Sequence, residues 1–140
     1  MEQAFRVSGR LAYQIKVVQH EIRKKMDAAL LTLGLTTPQY AVLSQVRECD
    51  RISNAELAKK SFLTPQTMNK IVQLLENEDL LTRRKHQSHG RILEISLTPA
   101  GTVKLARAHT LVAGIEEAVF APLSRTEKES LKKVLSKLIG

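Results

Sequence analysis

The chain has 140 residues, 43% of them hydrophobic, enough for one domain with its own core and too few for two ordinary ones. Its 22 Lys and Arg outweigh 14 Asp and Glu, and a net charge of +8 favours a polyanionic partner. No apolar run approaches the roughly 18 residues of a membrane span, no basic-then-apolar leader opens the sequence, and a single cysteine excludes an intrachain disulfide; a cytoplasmic, reducing compartment is expected.

Residues 4–33 read as one long helix. Leu11, Ile15, Val18, Ile22, Met26, Ala29 and Leu33 repeat at steps of three and four, as one face of a helix requires. About 30 residues at 1.5 Å each would reach about 45 Å, longer than a small domain is wide. An apolar stripe of that length needs cover from outside its own domain, and a second copy of the chain is the expected cover. Gly34-Leu35-Thr36 breaks this helix and Thr37-Pro38 starts the second. Tyr40, Leu43 and Val46 make its inner face, with Val42 adjacent, and it ends near Cys49-Asp50. Arg51-Ile52 is expected as a minor third strand.

The stretch from Ser53 to Arg91 organises the rest. Ser53 and Glu56 have the spacing of a capping box, Leu57 and Ala58 face inward, and Ser61-Phe62-Leu63 is a turn. Thr64 suits an N-cap and Pro65 the first helical position, where its missing N–H costs nothing. Met68, Ile71, Val72 and Leu75 form the buried face of this fourth helix. Gln66, Lys70 and Gln73 point the opposite way, flanked by Thr67 and Asn69. An ordinary solvated face would carry Glu/Lys pairs. These residues instead offer donors and acceptors suited to base edges: Asn and Gln to adenine, Lys to guanine, Thr to a thymine methyl.

A hairpin follows, with strands Leu81 to Lys85 and Leu93 to Leu97 and a polar tip around Gln87-Ser88-His89-Gly90. Asp79 can take the left-handed conformation needed at the helix exit. Arg83, Arg84, Lys85 and Arg91 place four positive charges in nine residues with no acid among them, a cluster suited to phosphate or a narrow minor groove. Thr98-Pro99 opens a fifth helix reaching about Ala121, with Val103, Leu105, Ala106, Leu111, Val112, Ile115 and Val119 mostly inward. Ser124 and Glu127 form another capping box, before a last helix with Leu131, Val134, Leu135 and Leu138 on one face. The expected fold is mainly α with a small β wing. It is a single winged helix-turn-helix domain whose DNA-binding lobe spans 35–98, with 1–34 and 99–140 mainly dimerisation helices.

From about Leu35 to Gly101 the sequence resembles the MarR family of bacterial transcriptional regulators. Leu35-Thr36-x-Pro38-Gln39-x-x-x-Leu43 is similar to the opening of that family's second helix, and Glu56-Leu57-Ala58 to its third. Asn69-Lys70-Ile71-Val72-x-x-Leu75-Glu76 stands where the family has Thr-Arg and two hydrophobic residues before Leu-Glu. Arg83 and Arg91 match the arginines at the two ends of its wing, and Leu97-Thr98-x-x-Gly101 the opening of its fifth helix. Two positions depart. His89 replaces the wing aspartate that precedes the second arginine, and Asp79 replaces a glycine. The resemblance implies a homodimeric repressor reading an inverted repeat in double-stranded DNA. Many members of that family release DNA when a small aromatic or phenolic acid binds between the dimer helices and the lobe. The sequence leaves open whether this chain has an effector, and whether Tyr40 is a wall residue of that cavity or a core residue with a satisfied hydroxyl.

Gln66, Thr67, Asn69, Lys70 and Gln73 are therefore expected to read bases, and Arg83, Arg84, Lys85 and Arg91 to grip phosphate or minor groove. Other chemistries fit less well. Cys49 reads as a passive thiol, because reactivity needs exposure and a lowered pKa. His20, His86, His89 and His109 have no metal-ligand spacing, no catalytic constellation is present, and no cofactor is expected. Two rivals share the charge. An architectural DNA-binding protein would need no polar reading face, and a helical dimer with a protein partner would make the basic wing incidental.

Overall fold

A computed structural model describes residues 6–85, 87–88 and 90–140. Among these, six α-helices surround a three-stranded antiparallel sheet: α1 (Leu11–Leu31), α2 (Thr37–Glu48), β1 (Ile52–Ser53), α3 (Asn54–Lys60), α4 (Pro65–Asn77), β2 (Leu81–Lys85), β3 (Leu93–Leu97), α5 (Pro99–Phe120) and α6 (Arg125–Ile139). The strand order is β1-β3-β2, so the hairpin carries the minor strand on its β3 edge, with Ile52 opposite Ile95. The wing tip residues His86 and His89 lie outside the described residues, as do residues 1–5.

The caps explain the boundaries. Thr64, Thr98 and Ser124 each accept a backbone N–H from three residues on. Ser124 and Glu127 complete a reciprocal box. Ser53 supplies the forward half, accepting from the Glu56 N–H. At α2 the cap is Thr36 rather than Thr37: Thr36 and Gln39 form the reciprocal box, and Thr37 already lies inside the helix. Proline tolerates either of the first two helical positions, so Thr-Pro alone leaves a one-residue ambiguity.

Three helices end in the same way. Beyond α1, α3 and α4, Gly34 (φ 71°), Phe62 (φ 56°) and Asp79 (φ 60°) take the left-handed conformation. In each case the next N–H (Leu35, Leu63, Leu80) reaches back to Leu30, Ala58 or Leu75, closing a Schellman motif. That motif turns the apolar residue after it into the core.

The expected helix over 4–33 is shorter. Val7–Gly9 form a 3₁₀ turn, and Arg10 is extended at φ −86°, ψ 141° before α1 begins. Gly9 is the poorest helix former in that stretch apart from proline, and it interrupts the pattern. Twenty-one residues make α1 about 32 Å long.

The core comprises Leu30, Leu35, Val42, Leu43, Val46, Ile52, Leu57, Ala58, Met68, Val72, Leu75, Leu80, Leu81, Ile95, Leu105, Ala108 and Val112. It lies among α2, α3, α4 and the sheet, closed by the end of α1 and the first half of α5. Of the residues expected inward on α5, Val103 is 62% exposed and Ala106 is also exposed, while Ala108 is buried. The buried row is Gly101, Leu105, Ala108 and Val112, a face rotated from the one expected. A helix apolar on most sides has no unique inward face until a neighbour selects one. Gly101 touches the Leu80 carbonyl so closely that an added Cβ would lie 2.1 Å from its oxygen. No side chain of α6 is buried.

Candidate nucleic-acid interface

Helix α4 is fixed first at its N-terminus. Thr64 Oγ1 accepts the Thr67 N–H at 3.2 Å and donates to Thr67 Oγ1 at 3.0 Å. From α3, Asn54 Nδ2 donates to the Pro65 carbonyl at 3.1 Å, tying the two helices of the motif together. Met68, Val72 and Leu75 then anchor one face in the core. The opposite face presents Gln66, Thr67, Asn69, Lys70 and Gln73, all exposed and none acidic. This is the face expected to read bases.

The wing stands beside it. Strands β2 and β3 pair from Leu81↔Leu97 to Lys85↔Leu93. Arg84, Lys85 and Arg91 are exposed at its outer half. Arg83 behaves differently. Strand alternation puts it on the same side as buried Leu81, and its side chain, only 17% exposed, turns to α4. Its Nε donates to Glu76 Oε1 at 2.6 Å and its Nη1 to Asn69 Oδ1 at 2.7 Å. Arg83, expected on phosphate or minor groove, here joins wing to recognition helix. Glu76 was missed as a member of this group. Its separation of seven residues from Asn69 puts both on one helix face, but only the fold shows that β2 delivers a cation between them.

A second polar pair joins α2 to α5. Tyr40 of α2 and His109 of α5 meet with 2.7 Å between Oη and Nδ1, their rings edge-to-face at 5.4 Å. Burial pushes the Tyr40 phenol above its ordinary pKa. An apolar groove of about 420 Å³ opens between α5 and α6, lined by Ala113, Phe120, Leu123, Leu131 and Leu135 among others. Among the described residues, no three or more His, Cys, Asp or Glu converge as a metal site. No described helix is long and apolar enough to cross a membrane.

The sequence profile of the MarR family matches residues 33–92. The HTH-type transcriptional repressor Rv2887 of Mycobacterium tuberculosis is 34% identical over 130 residues, 93% of this chain and 91% of the relative. The chain belongs to the MarR family. Its members are DNA-binding transcription regulators and not enzymes. Two solved structures of the mycobacterial MarR protein show how far the likeness extends. Rv2887 in complex with DNA is similar with a TM-score of 0.82 and 31% identity, covering 93% of this chain and 98% of that one. Rv2887 in complex with salicylic acid gives a TM-score of 0.77 and 33% identity, covering 93% and 96%. The likeness therefore includes the terminal helices as well as the MarR lobe.

Proposed function

We propose that this MarR-family chain is a cytoplasmic, homodimeric repressor that reads an inverted-repeat operator. The observation that carries the reading is the exposed polar row of Gln66, Thr67, Asn69, Lys70 and Gln73 on α4 beside the basic wing, with Glu76 of the same helix paired to Arg83. Gln66, Thr67, Asn69, Lys70 and Gln73 reach base edges in the major groove, and Arg84, Lys85 and Arg91 hold phosphate or minor groove. Arg83 positions the wing against α4. The chain divides by role: 35–98 forms the DNA-binding lobe, while 1–34 and 99–140 mainly form the dimer. Exposed Leu11, Ile15, Val18, Leu131, Val134, Leu135 and Leu138 on the terminal helices are the surfaces a second copy covers.

An aromatic acid releases the operator by favouring a half-site spacing that does not match DNA. The salicylic acid complex of Rv2887 supports this effector class, and the Tyr40–His109 pair offers polar groups beside the expected cavity.

Selection of bound sites from random duplex DNA at moderate salt tests the reading. A two-fold motif with half-sites about one helical turn apart is the expected result. Retention without an enriched motif would replace the repressor by an architectural protein, and no retention would remove DNA as the partner.

A further inference from the structure

We infer that Asn69 reads DNA mainly through its amide donors, favouring guanine or thymine at its position over the adenine to which an asparagine usually pairs. This rests on the proposed base-reading role of α4. A guanidinium has five donors and no acceptor, so only the oxygen of the Asn69 amide can face Arg83 Nη1. The choice between the two amide orientations is thereby fixed by chemistry. Arg83 cannot easily swing away, because Glu76 holds its Nε at 2.6 Å and the side chain is largely covered.

The consequence lies at the free end of the amide. Pairing with adenine requires one amide to donate to N7 and accept from the N6 amino group. In this protein one lone pair of Oδ1 is engaged by a cation, which holds the oxygen toward Arg83 and weakens it as an acceptor, and Nδ2 with its two N–H donors is left as the stronger reading end. Guanine meets it with two acceptors, N7 and O6, and thymine with O4. Adenine keeps N7, beside an amino group whose acceptor is already engaged by a cation and turned toward it. Cytosine presents only a donor and is the worst match. Wing and recognition helix thus set base preference together: Arg83 touches no base and still decides what Asn69 can read.

The test starts from the site selected out of random duplex DNA and measures affinity for every single-base variant of one half-site, applied symmetrically. The proteins compared are the unaltered dimer, Asn69→Ala, Asn69→Asp and Arg83→Met. Because Asn69 is exposed, its two substitutions leave the core intact; a thermal melt checks Arg83→Met. Asn69→Ala should flatten preference at one position per half-site, where the unaltered protein favours guanine or thymine by about tenfold. Asn69→Asp, an acceptor that can still pair with Arg83, should move that position toward cytosine. Arg83→Met should move it toward adenine by freeing Oδ1. An adenine preference at the position that Asn69→Ala flattens would overturn the inference, as would a profile unchanged by Asn69→Ala. Failure to select any motif would overturn the operator-reading function itself, and the inference with it.

Discussion

Phe62 holds φ at 56° with its ring 96% exposed, so its position gains little from burial while bearing left-handed strain. Phe62→Gly should stabilise the fold by about 1 kcal/mol in chemical denaturation. Unaltered or lower stability would mean that the ring has a folded-state contact that this exposure does not reveal. Gly101 is the opposite case, since any Cβ there meets the backbone of Leu80. Gly101→Ala should cost about 1–3 kcal/mol, because backbone must move to admit the methyl. Asp27 gives a pH effect. Its carboxylate accepts from the Thr37 hydroxyl, and that bond, followed by the nearby Arg23, lowers its pKa below the ordinary 3.8. A lowered folded-state pKa stabilises the protein above the unfolded value and ceases to do so as pH falls through the folded one. Asp27→Asn should therefore flatten the acid limb of the stability–pH curve below about pH 4. At this scale the sequence was partly legible. Asp79 was readable as a helix exit because Asp tolerates the left-handed region. The sign of φ at Phe62 was not, because an aromatic gives no such cue. The inward turn of Arg83 depends on Glu76 and Asn69 meeting β2 in space, which no local pattern encodes.

At the scale of elements, most boundaries were legible because polar caps and prolines are local chemistry. Thr64, Thr98 and Ser124 cap where their sequence context placed them. The start of α1 was overrun because no capping residue marks it in the sequence, and the helix begins only at Leu11, where the apolar repeat begins. The inward face of α5 was blurred because Val103, Ala106 and Ala108 are all apolar, and packing against Leu80 and its neighbours chose among them. In the proposed reading α4 and the wing contact DNA in different ways, and they differ in what their loss should do. Lys70→Ala should weaken the best operator by about 1–3 kcal/mol and relax base preference at one position, if Lys70 makes a good base contact. Lys85→Ala should instead weaken all sequences alike and reduce the salt slope by about one unit. Binding titrations across salt on selected and scrambled duplexes separate the two. A loss confined to the best operator in Lys85→Ala would remove the wing from phosphate.

The whole molecule is a compact lobe carrying helical ends that one copy leaves uncovered. Helix α6 buries no side chain, and its Val134 and Leu138 are 53% and 71% exposed. The first half of α1 is equally bare, with Leu11 at 77% and Ile15 at 50%. An isolated helix of 15 residues is marginal in water, so α6 owes its order to what its apolar face meets. A two-fold partner covering these ends would fix the separation of the two α4 helices, and that separation sets the effective concentration of the second lobe once the first has bound. Leu131→Glu with Leu135→Glu places two charges on this face while leaving the core untouched, since neither residue is buried. The variant should run as a monomer by light scattering and keep the lobe's cooperative melt at a reduced temperature. Its affinity should fall to that of a single half-site, with a salt slope about half that of the dimer because half as many phosphates are neutralised. A variant that stays dimeric would place the interface elsewhere on the chain. A monomer with undiminished operator affinity would mean that each lobe reads its half-site independently, and then no effector could act through spacing.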